Sequence, residues 1–382
     1  MTLFAFNDEA CRDLAGRHGT PSFIYRRSVA ESAFTSLREA LPPRVRLAYA
    51  MKANPHADLL ACFAVLGASF DCASIGELRR VAELNLGPGR TFFAGPGKRE
   101  EELRFAVAMG VRVQAEGFED LARLDELAST EVAVNLRVHP LGVEEGSRIL
   151  GGSGPSAFGV DEEAVPELLA RASTLRHVRI RGLHAFAASN QRDAAALLAI
   201  HSRILDLAQR LHREHGLALE QIDLGGGLGV PYAEDETSLD VAAFGRGIGE
   251  LLARHAWFQG ELVLEPGRFL AAACGVYLTR VLRVKESRGT RFAILEGGLN
   301  HLLRPALTGQ PFPVRAVSKH GPLHRTTLAG PLCTSLDRLG DVDLPDLQPG
   351  DLLAFGMVGA YGFTEAMTHF LSHPVAPEIW AP

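Results

Sequence analysis

The chain has 382 residues, 47% of them apolar and 22% charged, which is the balance of a soluble globular enzyme with ample material for a core. A formal net charge of -6, a pI near 6.2 and the lack of any basic cluster argue against a nucleic-acid or anionic-membrane binder. No run of about 18 uncharged apolar residues offers a membrane span, and the first residues, MTLFAFNDEACRDL, carry acids where a secretory leader would carry bases.

A helix is expected over 28–40. From there to about residue 268, short β-like runs alternate with amphipathic helical runs. The β-like runs are RLAYA (46–50), SFDCAS (69–74), TFFAG (91–95), RVQAE (112–116), EVAVNLRV (131–138), IRGLHAF (180–186), QIDLGG (221–226) and ELVLEP (261–266). The helical runs include REEELRFAVAMG, EAVPELLARAS and AAALLAIHSRILDLAQRLHREHG. Alternation of this kind requires parallel strands with crossover helices. Eight strands suggest closure into a (β/α)8 barrel, with a doubly wound open sheet as the alternative.

After residue 270 the pattern changes to CGVYLTRVLRV, RFAILEG, PVRAVS, HRTTLAG and DLLAFGMV, strand-like runs with few helical periods. The expected division is therefore an α/β barrel over 28–268 and a mostly β domain made of 1–27 and 269–382. The five cysteines (Cys11, Cys62, Cys72, Cys274, Cys333) show no CxxC spacing and read as reduced thiols of a cytoplasmic protein, not as a disulfide or zinc framework.

In such a barrel the chemistry gathers at the C-terminal ends of the strands. Those ends hold Lys52, Asp71 and Ser74, Arg137 and His139, His184, Phe186 and Ser189, the glycine run 225–229, and Glu265 with Arg268. Each has a plain structural reading beside the functional one. Lys52 and Glu265 fit solvated strand ends, Phe186 and His184 fit core positions, and the glycines fit a tight turn. The glycine run lacks the third glycine of a dinucleotide fingerprint, and FAGPGK (93–98) lacks the spacing of a Walker loop. Consecutive glycines can still turn several backbone N–H groups onto one phosphate, with Arg268 close by in sequence. No second histidine stands at metal-ligand spacing, so no metal is expected.

Taken together, YAMKAN, FDCASIGEL, FAGPGK, FGV (158–160), GLHAFAAS, DLGGGLGVPY, EPGRFLAAACGVYLTRV, GGLNHLLRPAL, GPLCTSLDRLG, GDLLAFGMVGAYG and HPVAPE span nearly the whole chain. This ordered set resembles the fold-type III pyridoxal-phosphate decarboxylases, the group of ornithine, arginine and diaminopimelate decarboxylases. The resemblance implies an alanine-racemase-type barrel followed by a β domain, pyridoxal 5'-phosphate as cofactor, and a homodimer with shared active sites. By the same resemblance Lys52 matches the lysine that holds the cofactor as a Schiff base. Gly227, Gly267 and Arg268 match its phosphate cradle, closed by Tyr361, and Glu265 matches the carboxylate facing the pyridine nitrogen. Asp71 and Arg137 match residues lining the site near the ring, with Phe186 and Ser189 beside them, and Cys333 matches a cysteine supplied by the partner subunit. The chemistry suits these residue types, since a protonated ring nitrogen needs an anion and the carbanion-like centre left by decarboxylation needs a proton donor.

Three departures bear on the substrate. Phe186 stands where many members stack a histidine on the cofactor, Thr334 where many place an acid for a distal amine, and Ala157 replaces a lysine. GPGK, GLHAFAAS and GPLCTSLD are similar to a biosynthetic-cluster branch that includes exosortase-associated enzymes and a decarboxylase of carrier-tethered glutamyl groups. GGLNHLLRPAL is similar instead to diaminopimelate decarboxylases, in which the arginine matching Arg304 helps hold a substrate carboxylate. The expected substrate is an amino acid or amino-acid conjugate, free or carrier-tethered, with Arg304, Thr334 and Tyr361 toward it. A racemase and a non-catalytic decarboxylase-like regulator remain as other readings.

Overall fold

The computed structural model describes residues 2–141 and 155–382. They fall into two compact units, one made of Phe34–Gly229 with Leu239–Gly267, the other of Met1–Ala33, Val230–Ser238 and Arg268–Pro382. Val230–Ser238 packs with the second unit although it lies inside the 28–268 span expected from sequence.

In the first unit eight parallel strands close on themselves: Val45–Ala50, Ser69–Cys72, Thr91–Phe93, Arg112–Ala115, Val132–His139, Val178–His184, Gln221–Asp223 and Glu261–Leu264. The eighth pairs in parallel with the first, Leu262 opposite Val45, and this closure decides for the barrel over the open sheet. Helices such as Ala57–Val65, Ile75–Glu83, Glu100–Ala108, Ala194–His215 and Val241–Arg254 provide the crossovers. Each starts where its sequence offers a cap or an acidic first turn. Asp193 Oδ1 accepts from Ala195 N at 2.8 Å, and Asp240 Oδ1 from Ala243 N at 2.9 Å, caps of a kind worth about 1 kcal/mol each.

Polar side chains of the strands find one another. Near the N-terminal ends Arg46 pairs with Glu261 at 2.7 Å, Gln221 Nε2 donates to Glu261 at 2.9 Å, and Asn135 Nδ2 donates to Gln221 Oε1 at 2.8 Å. Toward the C-terminal ends Gln114 Nε2 donates to Asp223 Oδ2 at 2.8 Å. Gly182 makes room for this packing, because a Cβ there would lie 2.1 Å from Asn135 Oδ1.

In the second unit a mixed sheet runs in the order Val314–Ala316, Leu352–Gly356, Gly275–Ser287, Thr290–Leu295, Leu323–Ala329, Arg338–Pro345. Ser22–Arg26 pairs antiparallel with Gly275–Ser287 and parallel with Glu378–Ala381, so both ends of the chain are tied into one sheet. Its core gathers Phe6, Cys11, Leu14, Ile24, Val276, Leu278, Leu352 and Ala354. Among the described residues no helix is long and apolar enough to cross a membrane.

Two glycines of helix Val241–Arg254 test how this packing works. A Cβ on Gly245 would lie 2.0 Å from the Ala40 carbonyl, whereas the nearest neighbour of one on Gly249 is 3.9 Å away. Gly245→Ala is expected to destabilise by about 1–3 kcal/mol through overpacking. Gly249→Ala is expected to stabilise by roughly 0.5–1 kcal/mol through helix propensity. Denaturant midpoints of the two variants check the pair, and equal effects would contradict the close helix approach.

Candidate active site

The first strand ends in a short 3-10 turn, Met51–Ala53, which carries Lys52. Tyr49 Oη closes the turn by donating to Asn54 O at 3.0 Å. Gly267 allows the end of the eighth strand to press on it, since a Cβ there would lie 3.0 Å from that of Ala53 and 3.1 Å from that of Ala50. The Lys52 side chain keeps 45% of its surface, with Nζ 3.6 Å from Asp71 Oδ2 and 5.3 Å from the centroid of the Phe186 ring. Asp71 reaches it because strand register sets Asp71 opposite Ala50. Burial, and next the charge of Glu265, push the Asp71 carboxyl up to about 8 against the pull of Lys52.

Phe186 follows the sixth strand and lies against the glycine run. A Cβ on Gly226 would stand 3.1 Å from its ring and 2.6 Å from the Glu265 carbonyl, and one on Gly227 would stand 2.7 Å from Ala188 Cβ. Gly225 and Gly227 also have φ of +70° and +103°, where L side chains are strained. The run is thus a close three-strand junction, more than a turn.

Glu265 is buried at the end of the eighth strand. Its Oε2 is 3.5 Å from His184 Nε2, and its Oε1 is 3.4 Å from Gln114 Nε2. Burial by itself raises this carboxyl, but His184, Lys52 and Asp223 outweigh burial and hold it below the usual carboxylate range. Asp223 goes the other way, pushed well up by burial and by Glu265. Two carboxyls so placed oppose each other's ionisation, and the surroundings favour the charge on Glu265 and the proton on Asp223. Burial pushes His184 down, against the opposing pull of Glu265. His184, Asp223 and Glu265 bring one ligand atom each within 4.8 Å of one another, a metal-like trio that sequence spacing did not reveal. Asp223 accepts from Gln114 Nε2 at 2.8 Å and from Gly225 N at 2.9 Å.

Arg137 is engaged to one side, its Nη1 donating to Glu116 Oε1 at 2.9 Å and its guanidinium 4.6 Å from the Phe158 centroid. Lys98 of FAGPGK is buried, donating to Asp120 at 2.9 Å and to Gly95 O at 2.7 Å, which makes it a structural lysine. Ser74 caps helix Ile75–Glu83, accepting from Glu77 N at 3.2 Å. Ser189 and His139 are half-buried at their strand ends.

The remaining candidates lie in the second unit. Arg268, the residue after Gly267, donates through Nη1 to Tyr232 Oη at 2.7 Å and lies 4.8 Å from the Tyr361 ring centroid. Arg304 lies 4.6 Å from the same ring and is bonded to Glu365. Cys333 is exposed and Thr334 half-exposed on a loop held by the buried carboxylate of Asp337. That carboxylate accepts from Leu299 N and Leu332 N, both at 2.7 Å, and a Cβ on Gly298 or Gly330 would collide with it. Sequence reasoning passed over Gln114, Glu116, Asp223, Tyr232, Asp337 and Glu365. The strand-end rule that selected Glu265 would also have found Glu116, the last residue of RVQAE, whereas Asp337 and Glu365 sit in loops without a local signal.

Residues 27–272 match the family model described as pyridoxal-dependent decarboxylase, pyridoxal binding domain. The chain is 33% identical over 383 residues to the L-glutamyl-[BtrI acyl-carrier protein] decarboxylase of Niallia circulans, covering 96% of this chain and 90% of that one. Its structure is similar to diaminopimelate decarboxylase from Helicobacter pylori complexed with L-lysine, with TM-score 0.89 and 28% identity, covering 97% and 94% of the two chains. It is also similar to an SrLDC mutant in complex with PLP, with TM-score 0.87 and 26% identity, covering 100% and 96%. The chain belongs to the pyridoxal-dependent decarboxylases. It is an enzyme that uses pyridoxal phosphate to decarboxylate an amino acid.

Asp71 gives a pH signature. Its folded carboxyl keeps a proton up to about 8, whereas the unfolded one loses it near 3.8. The native state therefore binds more protons in that window, and the stability Asp71 confers falls as pH rises through it. In cofactor-free protein, the melting temperature of Asp71→Asn minus that of wild type is expected to become more positive from about pH 5 to about pH 8. A flat or falling difference would mean that Asp71 is already ionised.

Proposed function

We propose that the enzyme removes the α-carboxylate from an amino acid, or from a carrier-tethered aminoacyl group, whose distal end bears no ammonium. The residues present fit the cofactor. Glu265 is a buried anion, as a protonated ring nitrogen requires, and this is the observation that carries the reading. Lys52 offers an exposed amine over an aromatic ring, and the closely packed glycines present backbone where side chains would obstruct.

Pyridoxal phosphate, when bound, supplies a sink for the electron pair left as the Cα–carboxylate bond breaks. In our reading Lys52 Nζ holds it covalently and Glu265 keeps the ring nitrogen charged. Asp223 and His184 keep Glu265 ionised. Gly227, Gly267, Arg268 and Tyr361 would hold the cofactor's phosphate, and Phe186, Asp71, Arg137 and Ser189 would contribute to binding the rest of it. Cys333 Sγ delivers a proton to Cα, and it acts in the site of the partner subunit of a homodimer. Thr334 offers no anion to a distal ammonium, whose burial without a partner costs several kcal/mol. The Niallia relative, named for a glutamyl carrier-protein substrate, supports a distal acyl group. The Helicobacter diaminopimelate decarboxylase supports a second reading in which the distal end carries both ammonium and carboxylate.

Carbon dioxide release from a panel of ornithine, lysine, diaminopimelate and a glutamyl thioester tests the substrate. The expected kcat/KM for ornithine and lysine is at least about a hundredfold below the best member of the panel, the equivalent of roughly 3 kcal/mol. Efficient turnover of either would sink the Thr334 argument.

Sharing of sites is tested with Lys52→Ala and Cys333→Ala, each expected to be nearly inactive alone. After subunit exchange, mixed dimers with one intact site should restore roughly a quarter of wild-type activity. Exchange without recovery would place Lys52 and Cys333 in the same subunit's site.

A further inference from the structure

Tyr361 collects an unusual amount of positive charge. The guanidinium carbons of Arg268 and Arg304 lie 4.8 and 4.6 Å from its ring centroid. Its backbone is left-handed, with φ +62°, a conformation rarely adopted by a bulky residue and most often kept where the surroundings impose it. Two guanidinium groups against one ring repel each other unless each has its own acceptor. Arg268 has Tyr232 Oη at 2.7 Å. Arg304 has Glu365, whose two carboxylate oxygens accept from the same Nη1 at 2.9 and 2.8 Å.

Arg304 is only 5% exposed. Its Nε is buried and has no hydrogen-bond acceptor among the described residues. The group therefore has its charge cancelled by Glu365 while one N–H stays unsatisfied, a state that favours gaining an acceptor. A second carboxylate coming to that N–H would share one guanidinium with Glu365 and be repelled by it at short range in a poorly solvated place. A carbonyl oxygen of an amide, ester or thioester takes the same hydrogen bond and brings no charge.

We propose that Glu365 is a specificity-determining residue, which turns Arg304 from a carboxylate receptor into a receptor for an uncharged acyl carbonyl at the distal end of the substrate. This rests on the reading given above that Arg304 faces the substrate. It narrows the substrate class to amino acids whose distal carbonyl is an amide, ester or thioester, of which a glutamyl group joined through its side-chain carbonyl is the simplest.

The test uses two non-reacting ligands of nearly identical shape, glutarate and its monoamide glutaramate, titrated by calorimetry into the holoenzyme, wild type and Glu365→Gln. Wild type is expected to bind glutaramate at least about tenfold more tightly than glutarate, and Glu365→Gln to reverse that preference to about tenfold in favour of glutarate. Arg304→Gln should weaken both ligands and remove the preference, which keeps the proposal testable if Glu365→Gln fails to fold. Unchanged melting temperature and cofactor absorbance certify each variant. A wild-type preference for glutarate, a preference unmoved by Glu365→Gln, or no binding of either ligand to an enzyme that releases carbon dioxide from some amino acid would overturn the role of Glu365. Absence of carbon dioxide release from every amino acid and conjugate tried would instead overturn the decarboxylase reading itself.

Discussion

Glu265 keeps a negative charge at the end of the eighth barrel strand while almost wholly withdrawn from water. Left alone, such a charge would cost several kcal/mol and the group would take up a proton instead. Much of the nearby architecture follows from preventing that. Asp223 holds the proton that Glu265 gives up and is itself held by Gln114 across the barrel and by Gly225 N. His184 brings its Nε2 to 3.5 Å from the Glu265 carboxylate. Gly226 lacks a side chain because a Cβ there would occupy space already taken by the Glu265 backbone and the Phe186 ring. A carboxylate fixed in this way needs no reorganisation to meet a positive charge, which is the general advantage of a preorganised site.

The second unit solves a different electrostatic problem. It brings arginines together around Tyr361 and gives each its own hydrogen-bond acceptor, a phenol oxygen for Arg268 and a carboxylate for Arg304. The loop bearing Cys333 depends on one buried carboxylate, Asp337, which accepts two backbone N–H groups and against which Gly298 and Gly330 are packed. These two hydrogen bonds and the close packing of both glycines fix the loop, and Cys333 stands exposed on it.

The barrel was legible because its cause is local and repetitive. Eight apolar runs separated by amphipathic helical runs leave few alternatives, and the strand-end rule then selected Lys52, Asp71 and Glu265 without reference to any relative. The strands Ser22–Arg26, Arg338–Pro345 and Glu378–Ala381 were not legible. The first and last are short pieces at opposite ends of the chain that become strands by pairing with each other and with Gly275–Ser287, and Arg338–Pro345 carries alternating charges on an edge. Ser74, picked out as a strand-end residue, is a helix cap, and Lys98 is a buried structural cation. The plain reading fell short for the glycine run, where three chain segments converge.

The sequence by itself determined the element order and, through its ordered motifs, the class of chemistry, because periodicity, glycine spacing and residue type are properties of neighbouring positions. Only the tertiary structure decided the charge states and partners of the site's side chains. Which of two acids keeps its proton depends on burial and on distances between strands far apart in the chain, as with Asp223 and Glu265. Whether Arg304 presents a free charge depends on Glu365, 61 residues downstream, and no local pattern records that they meet.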